Sequence, residues 1–293
     1  MSGLVAVTGA SGQLGRLVAR ELSARGVRQR VVTRSPARTP LLDDAEVAIA
    51  DYADVSAMAD ALDGVATLFL VSGHEARDRL DLHRGVVQAA ARAGVRRVVY
   101  TSFMGAAPQA SFTYARDHAH TERAIVDAGM ALTALRDSLY ADWAPLFVGA
   151  DGVVRGPAGN GTVAWVARAD VARLAVAVLL DDTHAGAIYD VSGPSAIDMD
   201  ETVRLLSTVT GREISYHAET VDEARASRAG QGVEDWQIEG WIGSYLAIAT
   251  GEVGVTSHTI EALTGRRPMA FDEFLRATPE AWAHLTAPPP PTS

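Results

Sequence analysis

Three side chains able to hold or move a proton, Tyr114, His118 and Glu122, recur at every fourth position. On a helix they share one face, where a carboxylate can orient an imidazole and the imidazole can hydrogen-bond a sugar hydroxyl or a substrate oxygen. The alternative is an ordinary, partly exposed helix face, because Arg116, Asp117 and His120 lie in the same segment. A second group is glycine. Leu4 to Gly15 reads LVAVTGASGQLG, a short apolar run leading into Gly9, Gly12 and Gly15 and then into the helical pattern Leu14, Leu17, Val18, Leu22. Gly9 permits a tight turn, Gly12 lets the backbone approach a pyrophosphate, and Gly15 allows close packing of helix on strand. The helix N-terminus, with Ser11, Gln13 and Leu14 in its turn, offers free N–H groups to phosphate. The spacing predicts a dinucleotide site.

Which dinucleotide is decided at the end of the second strand. Where an acid would hold a ribose 2′-hydroxyl, the chain has Arg34, with Arg38 shortly after. A guanidinium grips a 2′-phosphate through a bidentate, charge-assisted contact that an acid would repel, so Arg34 predicts NADP(H). For Arg38, a phosphate contact and a solvated loop position stand as equal alternatives.

What the chain lacks narrows the chemistry further. All 26 Lys+Arg residues are arginine, which excludes a Schiff-base lysine, a P-loop lysine and a Tyr-x-x-x-Lys pair. Without cysteine there are no disulfides, thiolates or cysteine metal sites. The remaining histidines, at 74, 83, 120, 184, 217, 258 and 284, lack the paired spacing and third ligand of a zinc site, and no metal is expected. A formal charge of −10 provides no basic footprint for nucleic acid. The longest apolar stretch, Val171 to Leu180, contains Arg173 and falls well short of the roughly 20 residues that span a bilayer. Met1 and Ser2 lead straight into the first strand with no signal peptide between, which reads as cytoplasmic.

The elements that must position these groups alternate in kind. Short strands rich in β-branched residues recur at Arg30 to Thr33, Val47 to Ala50, Thr67 to Val71, Val98 to Thr101 and Ala131 to Leu135. Helical patterns at Val55 to Leu62, Leu80 to Ala93 and Thr113 to Ala128 separate them. Such alternation implies right-handed crossovers and an α/β fold, a Rossmann-type doubly wound parallel sheet. Beyond Arg136 the rhythm loosens, then resumes with a helix from Asp170, read as its N-cap, to Leu180 and a late strand at Ala187 to Val191. Residues 1–136 and 162–191 are therefore expected to form the NADP-binding domain. Residues 137–161 and 192–287 would form a smaller α+β substrate domain, with helices near Asp200 to Thr210, Asp235 to Ala249, Ser257 to Leu263 and Phe271 to Leu285 and a strand at Ile214 to His217. Residues 288–293, a proline run and beyond, read as a disordered tail.

With these residues in place the chain resembles the NmrA-like branch of the atypical short-chain dehydrogenases, most closely its bacterial NAD(P)H:quinone oxidoreductase and triphenylmethane reductase members. The resemblance runs nearly full length: TGASGQLG at Thr8 to Gly15, VTRSPAR at Val32 to Arg38, ADYAD at Ala50 to Asp54, FLVSG at Phe69 to Gly73 and AGVRRVVYTS at Ala93 to Ser102. It continues through His118 with Thr121 and Glu122, LRDSLYADW at Leu135 to Trp143, RADVA at Arg168 to Ala172 and LTGRRP at Leu263 to Pro268. It implies an NADP(H) cofactor and two-electron reduction of quinone-like or other conjugated acceptors. Some members of the branch instead sense NADP(H) as regulators without turnover. The chain departs from the subgroup at Asp137, where LRN is usual, and at Gly85, where Asn often follows the HR of His83 and Arg84.

Ligands in such sheets sit outside the carboxyl ends of the strands, which places Val71, Ser72 and Gly73, with Thr101, Ser102 and Phe103, beside the cofactor. Asp51 and Tyr52 resemble the family's adenine contact; equally, Asp51 caps the next helix and Tyr52 packs. Tyr114 follows Ser102 at about the separation short-chain dehydrogenases use for serine and tyrosine, and His118 stands in the lysine slot. Ser102, Tyr114 and His118 are accordingly the catalytic candidates, His118 also a cofactor contact. Reducing a quinone gives a delocalised hydroquinone anion that needs little acid catalysis, so positioning and exclusion of water can supply much of the rate. Tyr140, Trp143 and Phe147 are the flat side chains available over the acceptor. The competing reading is that they are core of the cap helix, which is preferred for Phe147 and leaves Tyr140 and Trp143 as the acceptor candidates. The expected partner is a small-molecule substrate, on a monomer or homodimer.

Overall fold

The computed structural model describes residues 3–40, 42, 45–230 and 232–286; the expected disordered tail lies outside them. Seven strands form one parallel sheet: β1 (Leu4–Thr8), β2 (Gln29–Thr33), β3 (Ala45–Ile49), β4 (Val65–Leu70), β5 (Arg97–Phe103), β6 (Ala131–Asp137) and β9 (Ile188–Val191). Their order is β3-β2-β1-β4-β5-β6-β9. The order reverses beside β1, where Val7 pairs with Val31 of β2 on one side and Phe69 of β4 on the other. Ligands of doubly wound sheets bind at this reversal.

Both faces are covered, which is why β1 and β5 are buried along their whole length. Helices α2 (Val55–Ala61), α3 (Arg79–Arg92) and α4 (Thr113–Asp127) supply one layer, with Met58, Val86 and Ile125 in its core. Helices α1 (Gln13–Ala24) and α5 (Arg168–Leu179) supply the other, through Val18, Leu22, Leu174 and Val178. The short helix α9 (Thr259–Thr264) joins this second layer, because Ile260 is buried in the same cluster.

A third core belongs to the chain's later part. Helices α6 (Met199–Thr210), α7 (Val221–Arg228), α8 (Asp235–Ala249) and α10 (Phe271–Ala277) accompany two small ribbons. One pairs β8 (Thr162–Val163) with β10 (Ile197–Asp198), the other β7 (Val153–Gly156) with β11 (Ser215–Ala218). Trp165, Leu206, Tyr245 and Phe274 pack there with Phe103, Phe112 and Tyr114 of the sheet layer, so the cap and the sheet share a hydrophobic seam. Two local expectations are corrected, and one helix was not foreseen. The final helix stops at Ala277, since Thr278 precedes Pro279 and leaves helical geometry, and two short 3-10 turns follow. Asp170 is no N-cap: Ala167 holds that position, while Asp170 accepts the Met269 N–H at 2.7 Å and pairs with Arg173, tying α5 to the cap. The polar helix α7 had no apolar periodicity to announce it.

Candidate active site

The site begins at the turn between β1 and α1. Gly9 takes φ +63°, a left-handed value that favours glycine, and its carbonyl accepts the Gly12 N–H at 2.8 Å. A Cβ on Gly15 would lie 2.5 Å from the Gly9 carbonyl oxygen, so only glycine lets α1 seat this close to the turn. Gly12 is the N-cap and has no side chain to satisfy the first helical N–H groups, and no acidic residue occupies the first turn. That leaves donors and the positive helix end facing the cleft, which suits a pyrophosphate.

On one side of this turn is a cleft of about 230 Å³ lined by Gly9, Ser11, Gly12, Arg34, Asp51 and Tyr52 together with Val71, Ser72 and Gly73. Arg34 stands at its rim, more than half exposed, 3.5 Å from the Asp51 carboxylate. The helix α2 is capped by Asp54 rather than Asp51; Asp51 instead accepts the Ala53 N–H. Tyr52 both packs and structures the cleft: its hydroxyl lies 2.6 Å from the Val71 carbonyl oxygen and 2.7 Å from Thr8 Oγ1. Arg38 faces solvent, with Ser35 Oγ 3.3 Å from its guanidinium. Thr101 is behind the surface, its hydroxyl accepting the Ser72 N–H at 2.8 Å. Gly15, Arg38 and Thr101 thus line no cleft wall; Gly15 and Thr101 shape what does.

Val71, Ser72, Gly73 and His74 also border a second cleft of about 440 Å³, where Gln13, Leu14, Ser102, Phe103, Tyr114, His118, Tyr140 and Trp143 meet. All three catalytic candidates and both acceptor candidates converge here. Arg79, Asp137, Asp142 and Arg168, which the motif reading did not select as site residues, line it with them. A third cavity of about 540 Å³ continues under the cap, sharing Glu75, Phe112, Trp143 and Leu146 with the second. Phe147 stands between these roles: it borders that cavity and packs on Trp165 and Tyr245 in the cap core.

The α4 side of the second cleft is densely hydrogen-bonded. His118 Nε2 lies 3.0 Å from the Arg79 guanidinium, which can only donate, so this nitrogen carries no proton. Its Nδ1 therefore holds the proton and faces Tyr100 Oη at 2.8 Å. His83 is set in the same way: Nε2 accepts the Gly73 N–H at 2.8 Å, leaving Nδ1–H for Thr121 Oγ1 at 2.9 Å. Burial and the neighbouring Arg79 cation push His83 down to about 3 and His118 well below its ordinary value, so both are neutral imidazoles. Glu122 does not orient His118. It accepts the Ser102 hydroxyl at 2.5 Å and two bonds from Arg136, at 3.0 and 2.7 Å. Tyr114 Oη packs against Gly240 of α8 and is unpartnered among the described residues, with burial raising its pKa.

The opposite side is built by the end of β6 and the 3-10 turn Ala141–Phe147. Tyr140 donates to Asp137 Oδ2 at 2.7 Å and meets Trp143 edge to face at 5.6 Å. Arg168 stacks over Tyr140, 4.4 Å from its centroid, and pairs with Asp142 at 3.0 Å. Of the two departures from the resembled subgroup, Asp137 lies in this wall. Gly85 does not: it packs α3 on α2, where a Cβ would meet Val55 at 3.2 Å. The signal for Arg79 was available, since it precedes His83 by one helical turn.

Among the described residues no group of three or more His, Asp or Glu could hold a metal ion, and no helix is long and apolar enough to cross a membrane. The family described as NAD(P)H-binding matches residues 9–182. Quinone oxidoreductase 2 of Escherichia coli is 31% identical over 270 residues, covering 89% of this chain and 94% of that protein. The solved structure of the E. coli NADPH-dependent quinone oxidoreductase with NADPH superposes with a TM-score of 0.83 at 30% identity, over 97% of this chain and 100% of the other. A Streptomyces griseus (4-alkanoyl-5-oxo-2,5-dihydrofuran-3-yl)methyl phosphate reductase is 35% identical over 286 residues, 96% of this chain and 99% of its own. The Citrobacter sp. triphenylmethane reductase with NADP(H) gives a TM-score of 0.81 at 28% identity, covering 93% and 99% of the two chains.

Proposed function

Because the chain belongs to the NAD(P)H-binding family, we propose that it is an NADPH-dependent reductase of quinones or similar flat, conjugated small molecules. The observation that carries this reading is the continuous groove from the glycine turn and Arg34 to a cleft walled by Tyr140, Trp143 and Phe103. The α1 N-terminus would hold the pyrophosphate and Arg34 the 2′-phosphate. When bound, the reduced nicotinamide supplies a hydride.

The chain's own residues then provide geometry and dryness. Phe103 and Leu14 line the cleft with apolar surface, Arg168 fixes the Tyr140 ring by stacking, and the neutral His118, locked between Arg79 and Tyr100, holds the α4 wall in place. Such fixed positioning with water excluded suits an acceptor whose reduced form disperses its charge. Ser102 and His118 act in this reading by positioning, since the Ser102 hydroxyl and both His118 nitrogens are already engaged, while Tyr114 lines the cleft with its hydroxyl against Gly240 of α8. Relatives named for a quinone, a triphenylmethane and a furanone phosphate agree in taking unsaturated organic acceptors.

The test has two parts. Wild-type protein should oxidise NADPH with at least one member of a quinone panel; tight NADPH binding without any turnover would favour the regulatory alternative. Calorimetry should show Arg34→Ala weakening NADPH about tenfold, roughly 1.4 kcal/mol, with NADH almost unaffected. Wild-type uptake of NADH equal to or tighter than NADPH would overturn the assignment of Arg34.

A further inference from the structure

Asp137 is a buried carboxyl in the wall of the acceptor cleft, 2% exposed, with Oδ2 held by Tyr140 and Oδ1 without a partner among the described residues. A buried carboxylate ordinarily collects several donors, as Glu122 does from Ser102 and Arg136. A carboxyl with one donor and one bare oxygen instead matches a protonated acid whose own O–H has no acceptor until a ligand arrives.

We propose that Asp137 is a catalytic residue that delivers, from Oδ1, the proton completing reduction of a carbonyl-bearing acceptor. This rests on the reductase reading above. A quinone that has received the hydride pair from NADPH is a hydroquinone monoanion. The Asp137 Oδ1–H bond breaks, an O–H bond forms on the acceptor oxygen, and NADP+ and neutral hydroquinone remain. The Asp137 carboxylate then regains a proton from water, so each turnover consumes one NADPH and one proton. Other groups in the cleft are less suited: His118 presents no free N–H, the Ser102 hydroxyl is spent on Glu122, Glu75 is exposed, and Asp142 is an ion pair with Arg168. The Tyr114 hydroxyl, though unpartnered among the described residues, lies against Gly240 of α8 with its pKa raised by burial.

The charged and titratable surroundings fit an acid that is neutral at pH 7. Tyr140 and Asp142 face it from the 3-10 turn, Arg168 from α5, and Glu75, Arg79 and His118 line the cleft from the opposite elements. Arg168, the cation acting on it, is shared with Asp142 and stacked on Tyr140. Burial therefore dominates and raises Asp137 to about 8, against the downward pull of the Tyr140 hydrogen bond and the Arg168 charge.

Wild-type, Asp137→Asn and Tyr140→Phe proteins are loaded with NADPH, mixed with a quinone by stopped flow, and followed across pH. The wild-type rate should fall above about pH 8. Asp137→Asn, nearly isosteric, should lack that limb and react at least tenfold more slowly at pH 7. Tyr140→Phe removes a donor to the carboxylate, so its limb should move to higher pH. Infrared spectroscopy of the unliganded protein at pH 7 should show a protonated-carboxyl carbonyl band that Asp137→Asn lacks. Turnover with an unchanged limb in Asp137→Asn, or an identical infrared band in both, overturns the role of Asp137 alone. No NADPH oxidation by wild type with any quinone overturns the reductase reading, and proton delivery with it.

Discussion

The two side walls of the acceptor cleft use similar residues and end in opposite states. On the α3–α4 wall the hydrogen bonds close on themselves: the Gly73 N–H reaches His83, His83 meets Thr121, Thr121 donates to the Asp117 carbonyl, the Asp117 carboxylate accepts from Arg79, and Arg79 returns to the Gly73 carbonyl. Arg79 also secures His118. On the β6 wall the chain stops short, at Asp137 Oδ1. A closed circuit fixes shape but has no bonding capacity left for a ligand within it, whereas an open one leaves a hydrogen bond unmet that a ligand can complete. Titratable residues alone therefore do not mark the reactive wall, nor does an unpartnered oxygen alone. The Tyr114 hydroxyl beside the circuit is also unpartnered among the described residues, but it lies against Gly240 and burial raises its pKa, whereas the Asp137 carboxyl holds a proton it can release.

The strongest way to break this contrast is to open the closed circuit. Arg79 is 4% exposed and serves the Gly73 carbonyl at 3.0 Å, Asp117 at 3.3 Å and His118 at 3.0 Å. Arg79→Met leaves all three without their donor, and we expect a loss of about 3–5 kcal/mol in urea unfolding. Its removal also takes away a cation that depresses His118, so the imidazole should titrate at higher pH by NMR. A loss under about 1 kcal/mol, in the range of an exposed ion pair, would mean that the circuit is not a structural unit.

The sequence carried the sheet far better than it carried this circuit. Strand and helix periods are local, and the predicted strands overlap the seven observed. The dinucleotide turn was equally legible because its three glycines answer to backbone geometry within one turn. The circuit joins residues far apart: Arg79 and His118 are separated by 39 positions, His83 and Thr121 by 38. Helical spacing put Tyr114, His118 and Glu122 on one face, which the fold buries, but could not foresee that Arg136, from the neighbouring strand, would claim Glu122. The two-residue ribbon strands and Asp137's missing partner are likewise properties of tertiary contact.

Asp137 sharpens the contrast through stability as well as rate. Its folded-state pKa is about 8, whereas an unfolded aspartate sits near about 4. Between those values the folded chain holds a proton that the unfolded chain has lost, so this group makes stability fall as pH rises through the window and level off above it. Asp137→Asn has no such proton. Its melting temperature should match wild type near pH 4 and exceed it at pH 9, by an amount equivalent to a few kcal/mol. Parallel melting curves for the two proteins from pH 5 to 9 would show that the carboxyl ionises normally.

The smallest effect is expected at Ser102, and it separates position from chemistry. Its hydroxyl is 2.5 Å from Glu122 Oε1, but Glu122 keeps two bonds from Arg136 when that hydroxyl is removed. No charge is left unpaired, so Ser102→Ala should destabilise the fold by only about 1 kcal/mol and slow NADPH oxidation less than tenfold. A hydroxyl that took part in proton transfer would instead lower the rate by about 10²–10⁴ with little change in stability. Steady-state rates beside a urea titration distinguish the two. A hundredfold loss of rate would put the α4 wall back into the chemistry, and the division of labour between the walls would then be drawn in the wrong place.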